Sequence, residues 1–204
     1  MKEKPILFSG AMVRAILDGR KKQTRRIIKD YKITRLSSRH EFATSGPHHL
    51  SEKETPGYAY VELESGALVG LPCPYGQPGD RLWVREAFML IDNRDGGRHI
   101  KYKAGGPDFV FRAGNGDDDW RGASKWTPSI HMRREYSRIL LEITNVRVER
   151  VQDISNHDAK QEGVPAGVSP RAEFVWLWNS INAARGYGWE VNPWVWVIEF
   201  RRIE

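Results

Sequence analysis

The chain has 204 residues, 40% of them hydrophobic and 28% charged, which places it among ordinary globular proteins and excludes a fibre or a disordered tail. Its net charge of +6 is unevenly placed: residues 1–40 hold 12 of the 32 Lys and Arg against 3 of the 26 Asp and Glu, a net of +9, while residues 41–204 are net −3. Cys73 is the only cysteine, which leaves no disulfide framework, no cysteine-based zinc cluster and no zinc-deaminase signature.

Ile6–Phe8 reads as a short strand. Ser9 then caps a helix over about 10–18, whose apolar face holds Met12, Ala15 and Ile16 with Val13 and Leu17, and Gly19 ends it. Arg20 to Arg26 lead into an extended Arg25–Ile28. Residues 29–57 lack periodicity and carry Ser37-Ser38, Gly46-Pro47 and Pro56-Gly57, the pattern of a long inserted loop. Tyr58–Leu63 and Ala67–Leu71 flank Ser65-Gly66 as a hairpin, Pro72 to Gly79 is a bend, and Arg81–Arg85 is a strand. A second insertion, at about 87–130, holds two strand candidates, His99–Lys103 and Phe109–Arg112.

Ser137–Val151 is the clearest strand region. Its alternation changes phase at Thr144-Asn145, which predicts a bulge or tight turn. Ser155 caps a short helix closed by Gly163 and Pro165. Ser169-Pro170 opens another, with Phe174, Leu177, Trp178 and Ile181 at helical spacing, and Trp194–Ile203 is a last strand. Many short strands with three short helices predict one α+β domain, a small β-barrel with helices at its ends. Met1 to Phe8 has no signal-peptide pattern, and Ala87–Ile91 and Trp194–Ile198 are far short of the roughly 20 apolar residues that cross a bilayer. The expectation is a cytoplasmic protein in a reducing setting, without a membrane partner.

The densest chemical signal is Gly19-Arg20-Lys21-Lys22-Gln23-Thr24-Arg25-Arg26. Cations just past a helix C-terminus complement its dipole, so one reading is a solvated basic face. The other uses Thr24, whose hydroxyl becomes a nucleophile once a base removes its proton. Lys21 is three residues away, and crowding by Arg20, Lys22, Arg25 and Arg26 disfavours its charged form. The same arginines suit a phosphate or a developing oxyanion. Glu162 sits where the helix dipole disfavours a carboxylate, a candidate acid–base group or simply a solvated helix end. Trp83 could stack on a base whose edge Arg85 or Glu86 reads, with Trp120, Trp126 and Tyr75 as weaker candidates of that kind and His131 as a possible site residue. His48-His49 has no partner at metal-ligand spacing, so neither a metal nor an organic cofactor is assigned.

Gly19, Lys21 and Arg26 form a Gly-x-Lys-x-x-x-x-Arg motif, supported by Pro78-Gly79-Asp80 before Leu82–Val84, by Ile154–Gly163 and by Val195–Phe200. On these residues the chain resembles the ASCH-domain family of PUA-like β-barrels associated with RNA, and among them the longer members typical of phage and prophage genomes. The resemblance implies a hydrolase acting on a C–N amide bond, since small bacterial members remove the acetyl group from N4-acetylcytidine. Carried over, Lys21, Thr24 and Glu162 are catalytic, and Arg26 binds substrate or holds the loop, with Arg20 beside it. Lys22 and Arg25 would make the rim more basic and favour a phosphate-bearing substrate. A non-catalytic reader of RNA or of a modified base, and a metal-independent ribonuclease, are the alternatives.

Overall fold

The computed structural model describes residues 1–28, 33–37, 58–63, 68–92, 98–106, 109–112, 125–165 and 169–203. Trp120 and His48-His49 lie outside them. β1 (Glu3–Leu7) leads into α1 (Gly10–Leu17), where the Ser9 hydroxyl accepts from the Met12 amide at 3.4 Å. Then follow β2 (Gln23–Ile27), β3 (Ile33–Ser37), β4 (Tyr58–Leu63), β5 (Leu68–Pro72), β6 (Arg81–Arg85), β7 (Phe88–Asp92), β8 (Arg98–Tyr102) and β9 (Phe109–Arg112). The long β10 (Leu140–Arg150), α2 (Asn156–Gln161), α3 (Pro170–Asn182) and β11 (Trp194–Arg202) complete the chain.

The fold is mixed α and β, dominated by a five-stranded sheet of order β1-β6-β10-β11-β2. β1 runs parallel to β6 and every other neighbouring pair in that sheet is antiparallel. Its ladder does not close among the described residues: β1 and β2 are its edges, linked by a side chain, with Arg26 Nη2 donating to the Leu7 carbonyl at 2.6 Å. Two three-stranded sheets, β3-β4-β5 and β7-β8-β9, are built from the two segments read as insertions and the predicted hairpin.

Two elements differ from the sequence reading. β3 lies inside the segment expected to be a loop, and its pairing with β4 shifts register between Ile33 and Arg35. That irregularity breaks the period-two pattern by which a strand is recognised. β7 covers most of an apolar run that gave no alternation. The predicted phase change in β10 is a register shift against β11 between Ile143 and Asn145.

The core divides over the two faces of the main sheet. On one side Phe8, Val13, Ile16, Leu141, Trp196, Ile198 and Phe200 pack together under α1. On the other, Val195 and Val197 meet Ile154, Ala159, Phe174 and Trp178 of the α2–α3 region. Successive β11 residues thus serve opposite cores, and each buried aliphatic among them contributes about 1.5–3 kcal/mol. Asp80 anchors the end of β6: its carboxylate accepts from the Lys2 amide at 2.7 Å, and that bond, the largest influence on it, helps hold its carboxyl below the usual range. The Pro78-Gly79-Asp80 turn is therefore a structural clamp for the β1–β6 pair. No helix among the described residues is long and apolar enough to cross a membrane.

Candidate active site

The basic motif occupies the turn between α1 and edge strand β2. Gly19, at φ 72°, ends the helix, and the amides of Arg20 and Lys21 both donate to the Ala15 carbonyl at 2.9 Å. The Lys22 amide donates to the Gln161 carbonyl, and its own carbonyl accepts from the Phe200 amide, both at 2.8 Å. Lys21 pairs as an isolated antiparallel bridge with Glu162, the C-cap of α2. The turn is thereby stitched to a segment some 140 residues downstream.

Gly163 makes that approach possible. Its φ is 81°, and a Cβ there would lie 2.7 Å from the Lys21 Cβ and 2.8 Å from the Ala15 Cβ. Lys21 Nζ donates to both the main-chain carbonyl and Oε2 of Glu162 at 2.8 Å. The lysine side chain is 0% exposed and the glutamate 4%. Burial is the main force lowering the Lys21 pKa from 10.5; Glu162 opposes it, and Arg26 and Arg25 add to it. The direction agrees with the sequence reading, but desolvation leads where crowding was expected to.

Arg25 corrects that reading more sharply. It is not on a basic rim: its side chain is 0% exposed, with Nη1 3.1 Å from Glu162 Oε1 and Nη2 bonded to Glu149 and 3.8 Å from Asp158. Arg147 bridges the outer side of this cluster, to Glu149, Asp158 and Glu199. Burial alone would raise the Asp158 pKa; the Ser155 hydroxyl, Arg25 and Arg147 outweigh it and hold the carboxyl low. Both oxygens of Glu162 are thus held, Oε2 by Lys21 and Oε1 by Arg25.

A cavity of about 530 Å³ opens beside the pair. Thr24, Arg25, Arg26 and Glu162 line one part, Phe8 and Tyr75 another, and Phe174, Trp178 and Arg185 the helical wall. Thr24 is 3% exposed and shares a strand face with Arg26, opposite Ile198 and Trp196 of β11. Lys21 does not line the cavity; it sits behind Glu162 and Phe8, its nitrogen 5.6 Å from the Phe8 ring centroid. None of its hydrogen bonds reaches the Thr24 hydroxyl. The structure therefore brings Lys21 and Glu162 into contact and places Thr24 on the adjoining cavity wall.

The other candidates go elsewhere. Arg20 is exposed, bonded to Asp18 at 2.8 Å and to the Gly163 carbonyl at 3.1 Å, where it supports the turn. Lys22 is exposed. Trp83, Arg85 and Glu86 lie on or just past β6 and none lines the cavity. The Arg85 guanidinium covers the Trp83 ring at 5.0 Å and donates to the Met132 carbonyl, so that ring face is occupied. Glu86 is buried against Arg138 at 2.9 Å; burial raises its pKa and Arg138 opposes the shift. Trp126 and His131 are exposed and neither lines the cavity, whereas Tyr75 belongs to its wall.

Sequence reasoning missed Phe8 and Arg185 as cavity residues and read Phe174 and Trp178 as core alone. No spacing marks Phe8 or Arg185, because the wall is assembled from segments far apart in the chain. Among the described residues, no group of three or more His, Cys, Asp or Glu is placed to hold a metal ion. Comparison with known proteins finds no matching family model, curated protein or solved structure.

Proposed function

We propose that the protein is an amidohydrolase that removes the acyl group from N4-acylated cytidine or a related modified nucleoside, on a PUA-like fold of the ASCH type. The observation that carries this reading is the buried Lys21–Glu162 pair at 2.8 Å, set against a cavity whose wall includes Thr24. A solvated basic turn has no use for a desolvated lysine held by both the backbone and the side chain of one glutamate.

The pair shares one proton at the start. In this reading substrate binding brings the Thr24 hydroxyl to the Lys21 nitrogen, which among the described residues bonds only to Glu162 beforehand. Thr24 passes its proton to Lys21 as its oxygen bonds to the acyl carbon. Glu162 then protonates the exocyclic nitrogen as the C–N bond breaks, which leaves cytidine and an acyl-threonine. Water gives a proton to the pair and attacks the ester carbon. Thr24 leaves, takes that proton back, and the acid is released. Each half-reaction returns the pair to its single shared proton.

Incubation of the purified protein with N4-acetylcytidine, beside Lys21→Ala, Thr24→Ala and Glu162→Ala variants, tests the reading. Release of cytidine and acetate that falls at least about 100-fold in each variant is expected. Full activity in Thr24→Ala, or no turnover of any N4-acylcytidine by the wild type, overturns it.

A further inference from the structure

Among the described residues the cavity wall has one carboxylate and three guanidinium groups, and they are not equally matched. Glu162 is held on one oxygen by Lys21 and on the other by Arg25. Arg26 has no carboxylate partner among the described residues. Its Nη2 donates to the Leu7 carbonyl, and its guanidinium carbon lies 5.2 Å from the Phe8 ring centroid and 5.8 Å from that of Tyr75. Its Nε is buried with no hydrogen-bond partner. Arg185, at the end of the helical wall, is exposed, and its guanidinium makes no hydrogen bond or ion pair with any described residue. Two cations thus remain without a carboxylate partner in a cavity whose one acid, among the described residues, is already neutralised.

A half-buried guanidinium without a counter-charge has lost hydration that its surroundings do not return. A neutral nucleoside would cover the cavity and deepen that loss. An oxyanion would reverse it, because guanidinium–phosphate and guanidinium–carboxylate bonds are charge-assisted and strengthen as water is excluded. The Arg26 guanidinium already lies over Phe8 and Tyr75, so a planar base would sit against the Trp178 side of the wall, beside the charged end. The volume of about 530 Å³ is that of a small-molecule site rather than an extended groove.

We infer that the substrate is an anion whose phosphate or carboxylate oxygens are bound by Arg26 and Arg185, a proposal that takes the identity of the base from the reaction above. The oxyanion is either a phosphate on the ribose or a carboxylate at the far end of the acyl group. Arg185 is the specificity residue of the pair: being exposed, it can be replaced without disturbing the fold, whereas Arg26 also ties β2 to the end of β1.

Calorimetric titration separates the sources. Wild-type protein is titrated with cytidine and with cytidine 5′-monophosphate. Thr24→Ala, which blocks turnover, is titrated with N4-acetylcytidine and N4-succinylcytidine. One anionic ligand binds about 10- to 100-fold tighter than its neutral counterpart at low salt, and the preference shrinks as salt is raised. A phosphate preference assigns the oxyanion to the ribose, and a succinyl preference assigns it to the acyl group. Arg185→Gln removes most of the preference while leaving the neutral ligand's affinity within about twofold. Equal binding within both pairs, or a preference that survives Arg185→Gln, overturns the proposal. Binding needs no turnover: tight anion binding without hydrolysis would remove the amidohydrolase reading alone, and hydrolysis with equal binding would remove this one alone.

Discussion

Lys21 and Glu162 meet twice, through the lysine ammonium and the glutamate's main-chain carbonyl and through the ammonium and its carboxylate, both at 2.8 Å. The double contact fixes the ammonium against one residue and leaves one of its three N–H groups outside the pair. Breaking such a buried pair on one side strands the other charge. Glu162→Gln is expected to lower folding stability by about 3–5 kcal/mol, measured by urea denaturation. A change below about 1 kcal/mol would mean that the pair is solvated.

The lowered Lys21 pKa has a signed consequence for pH. Between its folded value and 10.5 the unfolded chain binds more protons at this group than the folded chain does. The Lys21 contribution to stability therefore rises with pH through that window. Hydrolysis draws on the pair with its single shared proton, so the rate should fall as pH rises through the folded value, where that proton is lost. A rate that keeps rising up to pH 10.5 contradicts the assignment of Lys21 and Glu162 as the proton-sharing pair.

Asp158 acts at the opposite end of the scale. Its folded pKa lies below 3.8, so its stabilising contribution is present above that value and disappears as pH falls through the folded pKa. Asp158→Asn should flatten the acid limb of a stability-against-pH curve and leave the alkaline limb unchanged. Acid unfolding profiles of the two proteins settle the point.

Gly163→Ala tests the seat of the lysine. The new Cβ would stand 2.7 Å from the Lys21 Cβ at a residue whose φ is 81°. A loss of about 1–3 kcal/mol is expected from the strain, together with a fall in kcat larger than any change in KM. Unchanged kcat in a destabilised variant would show that the position of Lys21 does not govern the chemistry.

Arg85→Gln is predicted to leave both kcat and KM within about twofold, because its guanidinium lies over Trp83 and lines no part of the cavity. A tenfold rise in KM would return β6 to the substrate site.

Local chemistry was legible where it is carried by neighbours in the chain. The Ser9 and Ser169 caps, the Gly19 stop, the helical spacing in α3 and the phase change in β10 could all be read directly, since each depends on a few adjacent residues. β3 could not, because its irregular pairing erases alternation. The motif itself was legible as a cluster of Lys21, Thr24, Arg25 and Arg26, and Glu162 as an anomalous helix end. The surroundings of Trp83 were not legible: how open an aromatic on a strand is depends on the next residue of the same face, and Arg85 lies over it.

What the amino-acid sequence alone determined is that a basic turn with a lysine and a threonine three apart follows a capped helix and enters a strand. Only the tertiary structure decided which of its cations are available. Adjacent strand residues point to opposite faces, so Arg25 and Arg26 had to part, but the two faces become different only when remote segments cover them. The α2 region brings Glu162 and Asp158, and β10 brings Glu149, to the side where Arg25 is neutralised. Arg26 turns to the side where Phe8 and Tyr75 offer rings and no carboxylate. Charge is a property of the residue; whether it is already paired is a property of the fold.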